Sequence, residues 1–124
     1  MPSLIVNIDT PSVDEAEAFY AAAFGFTPVR RLFGGAIAEM RFAGQIFHVH
    51  EAIAGAAAFD AGEPRRYTRH WTPLHLDIVV DALEEALAQA VKAGAVLERP
   101  IAAHDWGRIA GSAIRSVTDF ALSN

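Results

Sequence analysis

The 124-residue chain has no cysteine. Disulfides, thiolate nucleophiles and cysteine-ligated zinc are therefore excluded. No apolar run approaches the ~18 residues that a membrane span needs. The opening "MPSLIVNIDT" goes straight into a strand pattern, without the basic and then apolar order of a secretory leader. A cytoplasmic protein with no membrane partner is the expectation. Positive charge is scarce: ten Lys and Arg stand against fifteen Asp and Glu, a net charge of −5. Gripping a nucleic-acid backbone needs the opposite balance, so no nucleic-acid partner is expected. The one basic cluster, "RRYTRHW" at Arg65–Trp71, reads as a solvated connector or a subunit contact. No Ser-His-Asp order, glycine-rich phosphate loop or dinucleotide fingerprint is present, and the glycines of "FGG" belong to a turn.

Apolar residues are plentiful. They make up 52% of the chain and include eight Phe and two Trp, enough to bury the core of one ordinary domain. Two segments share one grammar. In "LIVNIDTPSVDEAEAFYAAAFGFTPV", a strand at Leu4–Ile8 leads to a capping box, Ser12 with Glu15. A helix then runs Val13–Phe24 and stops at Gly25. In "LHLDIVVDALEEALAQAVKAGAVLERP", a strand at Leu74–Val80 leads to a cap at Asp81. A helix over Ala82–Ala93 follows, with Leu83, Leu87, Ala90 and Val91 as its buried stripe and Gly94 as its stop.

Short strands follow each helix. The first set is Thr27–Leu32, Ala36–Phe42 and Gln45–Glu51, with a hairpin at Ala43-Gly44; the second includes Val96–Glu98 and Gly107–Ser112. The order is β-α-β-β-β, twice, an internal repeat of about seventy residues. We expect one domain of two modules, 1–58 and 73–124, joined by a linker at 59–72.

This order resembles the vicinal oxygen chelate superfamily: glyoxalase I, bleomycin-resistance proteins and extradiol dioxygenases. "DEAEAFYAAAFGF" resembles the family's first helix, "LHLDIVVDALEEALAQAVKAGA" the start of its second module, and "HDWGRIA" the entry to its penultimate strand. The resemblance implies an α+β fold of two βαβββ modules, a curved mixed-sheet cup with helices on the outside, and a small molecule bound in the cup.

The family continues with a turn and strand of the form RDPFGHGFCLIE, ending in a carboxylate. Here the chain reads "GSAIRSVTDFALSN". Codons for Ala113 to Asn124, read one base out of register, can spell D-P-F-G-H-G-F-C-L-I and then Q, K or E. Two of the three bases in each shifted codon are almost fixed by the residues present. We read the C-terminus as a frameshifted form of the family ending.

The resemblance also implies a divalent metal held by first and last strands of each module, acting as a Lewis acid. Carried over position by position, the second module offers His75 and the first module's end strand offers Glu51. The first-strand position matching His75 is Ile5, which binds no metal, and the fourth position falls in the altered C-terminus. The expected metal site is thus incomplete.

Strand alternation gives the ligand candidates. Asn7 and Asp9 share a face, as do His48 and His50, and as do His75 and Asp77. Glu51 points opposite to His48 and His50 unless a bulge intervenes. The histidines suit a ligand cavity, and equally a half-exposed strand. Asp77 can orient His75 or pair with a linker arginine. Trp71, Tyr67, Phe47 and Trp106 can wall an aromatic pocket or serve the core or a subunit contact, the latter for Trp106 above all.

Three functions stay open: a small-molecule-binding protein, a metal-dependent lyase or dioxygenase, and an inactive relative. A homodimer is expected, because such sheets leave edges open.

Overall fold

The computed structural model describes residues 1–57, 60, 62–70, 72–113 and 119–124. Two compact units emerge: Met1–Ala21 with Gly25–Tyr67, and Ala22–Phe24 with Thr68–Asn124. The element order is β1 (Ile5–Thr10), α1 (Val13–Phe24), β2 (Thr27–Leu32), β3 (Ile37–Phe42), β4 (Gln45–Glu51), β5 (His75–Val79), α2 (Leu83–Ala93), β6 (Val96–His104), β7 (Gly107–Ala113) and β8 (Asp119–Ser123). Each unit carries one four-stranded mixed sheet, ordered β1-β4-β3-β2 and β5-β8-β7-β6. The first and last strands of each unit pair in parallel and the other neighbours antiparallel. This is the α+β fold of two βαβββ modules.

α1 begins at Ser12, whose hydroxyl accepts from the Glu15 N–H. The capping box is only half made. The Ser12 N–H goes to Thr10 Oγ1 at 3.3 Å, so the Glu15 side chain has nothing to reach back for. Val13, Ala16, Tyr20 and Ala23 form the buried stripe. Tyr20 leans on Phe26 (5.1 Å between centroids), which stacks on Phe42 (4.5 Å) and meets Phe47 (4.8 Å). The helix side of the first sheet is therefore the side of Phe47, Val49, Ala38 and Met40. Phe47 is core, not a pocket wall. Arg31 on β2 reaches the same side, pairing with Asp14 and Glu17 of α1.

The second helix departs from expectation in two ways. Its N-cap is Ala82, with no side-chain cap, rather than Asp81. Of its expected stripe, Leu83 and Ala90 are fully buried, Leu87 is half-buried and Val91 is 45% exposed. Alanines fill much of this helix, so a narrow strip is enough to seal it.

β1 runs on to Thr10 because the polarity of Asp9 concerns only its exposed face, while Thr10 is buried. β6 continues well past Pro100. The strand lies at the sheet edge, and its register shifts between Arg99 and Ala102, so the missing proline N–H breaks no ladder bond. At Gly107, which has a positive φ, a Cβ would clash with the Asn124 carbonyl oxygen, so the position favours glycine. Asp119–Ser123 completes the second sheet, pairing with β5 and β7. Its alternation leaves Leu122 fully buried. No helix of the described residues is long and apolar enough to cross a membrane.

Candidate functional site

With the apolar side of the first sheet taken by α1, its other face carries the polar residues. Asn7 on β1 stands beside His48 on β4, which stands beside Glu39 on β3, which stands beside Arg30 on β2. Arg30 reaches that place through a bulge. The register slips between Pro28 and Arg30, so Val29 is passed over.

Glu39 is the centre of this row. Its side chain is 10% exposed and that of His48 is 15% exposed. Arg30 Nε donates to Glu39 Oε1 at 3.0 Å, and His48 Nε2 lies 2.9 Å from Glu39 Oε2. The bond to His48, and then the bond to Arg30, hold the Glu39 carboxyl below the usual glutamate range. An ionised carboxylate only accepts. His48 Nε2 must therefore donate, and in the neutral ring Nδ1 is left as an acceptor.

A second row lies one step along the strands. Asp9 stands beside His50. Asp9 Oδ1 is 3.6 Å from His50 Nδ1, and Arg65 Nε donates to Asp9 Oδ2 at 2.6 Å. Arg65 comes from the segment after β4. Main-chain bonds from Arg65 to Ala56 and from Gly55 to Arg65 hold it there. Tyr67 closes the segment by donating to the Ala52 carbonyl at 2.6 Å, and burial raises its phenol pKa.

The second unit repeats the plan with other residues. His75 and Asp77 share the face turned away from the buried Ile78, Ala110 and Leu122, and His75 Nδ1 lies 3.3 Å from Asp77 Oδ1. Asp77 thus pairs with its own strand's histidine and not with a linker arginine. Arg69, from the basic cluster, forks onto Glu98 at 2.5 and 2.7 Å. Trp106 is not core: it is 66% exposed at the β6–β7 turn and stacks on His104. Trp71 lies outside the described residues.

Asn7, Asp9, His48 and His50 thus come together on one face. Glu51 does not join them. It lies on the helix side, where its Oε1 accepts from the Val13 N–H at 3.2 Å and caps α1. Sequence reading missed Glu39, Arg30 and Arg65. The available signal was one acid at the inward-alternating position of "AIAEMRF".

A family model described as a glyoxalase-like domain matches residues 5–119. The chain belongs to the glyoxalase-like family. Solved structures of the same fold include a glyoxalase/bleomycin resistance protein/dioxygenase family enzyme from Burkholderia phytofirmans. It is 16% identical, with 97% of this chain and 95% of that one covered and a TM-score of 0.73. A genomically encoded fosfomycin resistance protein from Listeria monocytogenes is 13% identical over 99% and 92%, with a TM-score of 0.75. A lactoylglutathione lyase from Agrobacterium tumefaciens is 14% identical over 98% and 92%, with a TM-score of 0.67. No curated protein matches by sequence.

The divalent metal implied by the superfamily does not fit this glyoxalase-like chain. The register aligns Ile5 with His75, because Asn7 and Asp77 occupy the same place in their rows, and isoleucine has no donor atom. Glu51 is engaged with the start of α1. Within either unit, no group of three or more His, Asp or Glu among the described residues is placed to hold a metal ion. An imidazole is oriented by a carboxylate in each unit, His48 by Glu39 and His75 by Asp77, but neither gains the further ligands a metal needs.

Proposed function

We propose that this glyoxalase-like protein binds a small polar molecule, without a metal, on the face of the first sheet that carries Asn7, Asp9, His48 and His50. The observation behind this is the Arg30–Glu39–His48 relay. A nearly buried carboxylate, held on both sides, fixes one imidazole tautomer and presents an acceptor nitrogen. A core needs no such device, and a half-exposed strand would not bury the acid that orients it. The chemistry selects a ligand with an N–H or O–H to donate to His48 Nδ1. The exposed Asn7 amide beside it supplies a second polar contact.

The competing reading, a metal-dependent lyase or dioxygenase, would lean on His75 and Glu51. The commitment of Glu51 to α1 counts against it. The structural neighbours bear the names of a lyase and of a resistance protein and do not choose between the readings. An inactive relative is the third reading, and the screen below separates it from the first. A cytoplasmic homodimer remains part of the proposal, supported by the sheet-edge strands β2 and β6 and by the exposed Phe33.

The test is a thermal-shift screen with soluble phenols, alcohols and amides. A ligand that binds only the folded state must raise the melting temperature. At least one compound should do so. The shift should vanish in His48→Ala and persist in Lys92→Ala on α2. An unresponsive protein, or a His48→Ala variant that responds like the parent, would refute the proposal.

A further inference from the structure

The two sheets match strand for strand, and one difference between them has a chemical consequence. Across the first unit the pairing runs Asn7, His48, Glu39, Arg30. Across the second it runs Asp77, Ala121, Gly111, Arg99. Both rows lie on the face away from the buried apolar side chains. In both, a register slip passes over one residue, Val29 in the first and Glu98 in the second, and sets the arginine opposite the third member of the row.

In the first unit that member is Glu39, which takes the guanidinium. In the second it is Gly111. No side chain rises to meet Arg99, and the arginine lies across bare backbone. A Cβ on Gly111 would stand 2.9 Å from Arg99 Nε and 3.5 Å from Nη2. Arg99 enters no ion pair among the described residues. Neighbouring acids are engaged elsewhere: Glu98 with Arg69, Glu84 with Arg108, Asp77 with His75. The next residue in the row, Ala121, is small and carries no polar side chain.

We propose that Arg99, laid over Gly111, is an oxyanion-binding site on the second unit, taking the carboxylate or phosphate group of a small organic ligand. A planar guanidinium donates two parallel N–H groups to such an anion. Arg30 already spends that fork on Glu39. Arg99 keeps it, because glycine replaces the acid. This site goes beyond the reading of the first unit and does not depend on it.

The experiment titrates the full chain with inorganic phosphate and with acetate at constant ionic strength, following amide chemical shifts. Saturable binding with a Kd on the order of 1 mM is expected for at least one of them, and the tighter of the two names the ligand's acidic group. Arg99→Ala should weaken it at least about tenfold, and Arg99→Lys should also weaken it, since an ammonium lacks the fork. Gly111→Glu should abolish it by supplying the internal acid that Glu39 supplies to Arg30. Its Cβ would stand 2.9 Å from Arg99 Nε and 3.3 Å from Arg99 Cβ, so the Arg99 side chain must shift to admit it, and a circular dichroism spectrum like the parent's checks that the variant is folded. Lys92→Ala should bind like the parent. The proposal is overturned if neither anion binds saturably, or if either Arg99→Ala or Gly111→Glu binds as tightly as the parent.

Discussion

His48 Nε2 lies 2.9 Å from Glu39 Oε2, across adjacent strands β4 and β3, on the face that α1 does not cover. The contact gives Glu39 a partner that a nearly buried acid must have. It also decides which nitrogen of His48 is available to a ligand. The stabilising and the functional consequence come from the same pair.

Glu39 makes stability depend on pH. Its pKa in the folded protein lies below the unfolded value of about 4.3. A group depressed in this way contributes stability that is fully present above the unfolded pKa and is lost as pH falls through the folded one. Denaturant unfolding of the parent and of Glu39→Gln should differ most near neutral pH, and the difference should shrink below about pH 4. A difference that stays constant down to pH 3 would show that the pairing is not the cause.

Buried and exposed large side chains should separate cleanly. Met40 is fully buried between Phe47 and Pro28 in register, and Met40→Ala should cost about 2–5 kcal/mol. Trp106→Ala should cost within about 0.5 kcal/mol, since the ring only stacks on His104 at the surface. Equal losses in the two variants would place Trp106 in an interface or core.

Tyr67 holds the segment that delivers Arg65. Tyr67→Phe leaves the Ala52 carbonyl without its donor and should cost about 1 kcal/mol. The loosened segment should also expose the Gly55 and Arg65 amides, which donate to the Arg65 and Ala56 carbonyls. Hydrogen exchange at these two amides, unchanged in the variant, would dissociate Tyr67 from the segment.

Metal should be held weakly. After equilibration with zinc, nickel or iron(II) and removal of excess, well under one ion per chain is expected. Within either unit no group of three His, Asp or Glu among the described residues converges, and so small a ligand set competes poorly with water and buffer. Near-stoichiometric retention that His75→Ala removes would restore the metal-dependent reading.

The C-terminal reading is decided by the gene. The coding DNA for Ala113–Asn124 should spell DPFG in the alternate frame. A sequence that does not would end the frameshift account. In the protein, Asp119–Ser123 alternate well enough to bury Leu122 and complete the sheet. Pattern, more than identity, recruits an end strand.

Much of this protein follows from local pattern. Alternation along each strand puts Asn7 with Asp9, and His48 with His50, on common faces, because successive side chains point opposite ways. Ser12, Gly25 and Gly94 mark helix ends through bonds spanning three or four residues. The repeat itself is legible because its spacing recurs. Other features depend on partners distant in sequence. Whether Glu51 faces a ligand or caps α1 depends on Val13, thirty-eight residues earlier. That Arg30 and not Val29 meets Glu39 depends on a bulge between paired strands. That Arg99 pairs with no acid among the described residues depends on Gly111 lying opposite it. Register is a property of two strands at once, so a single strand read alone determines its faces but not its partners.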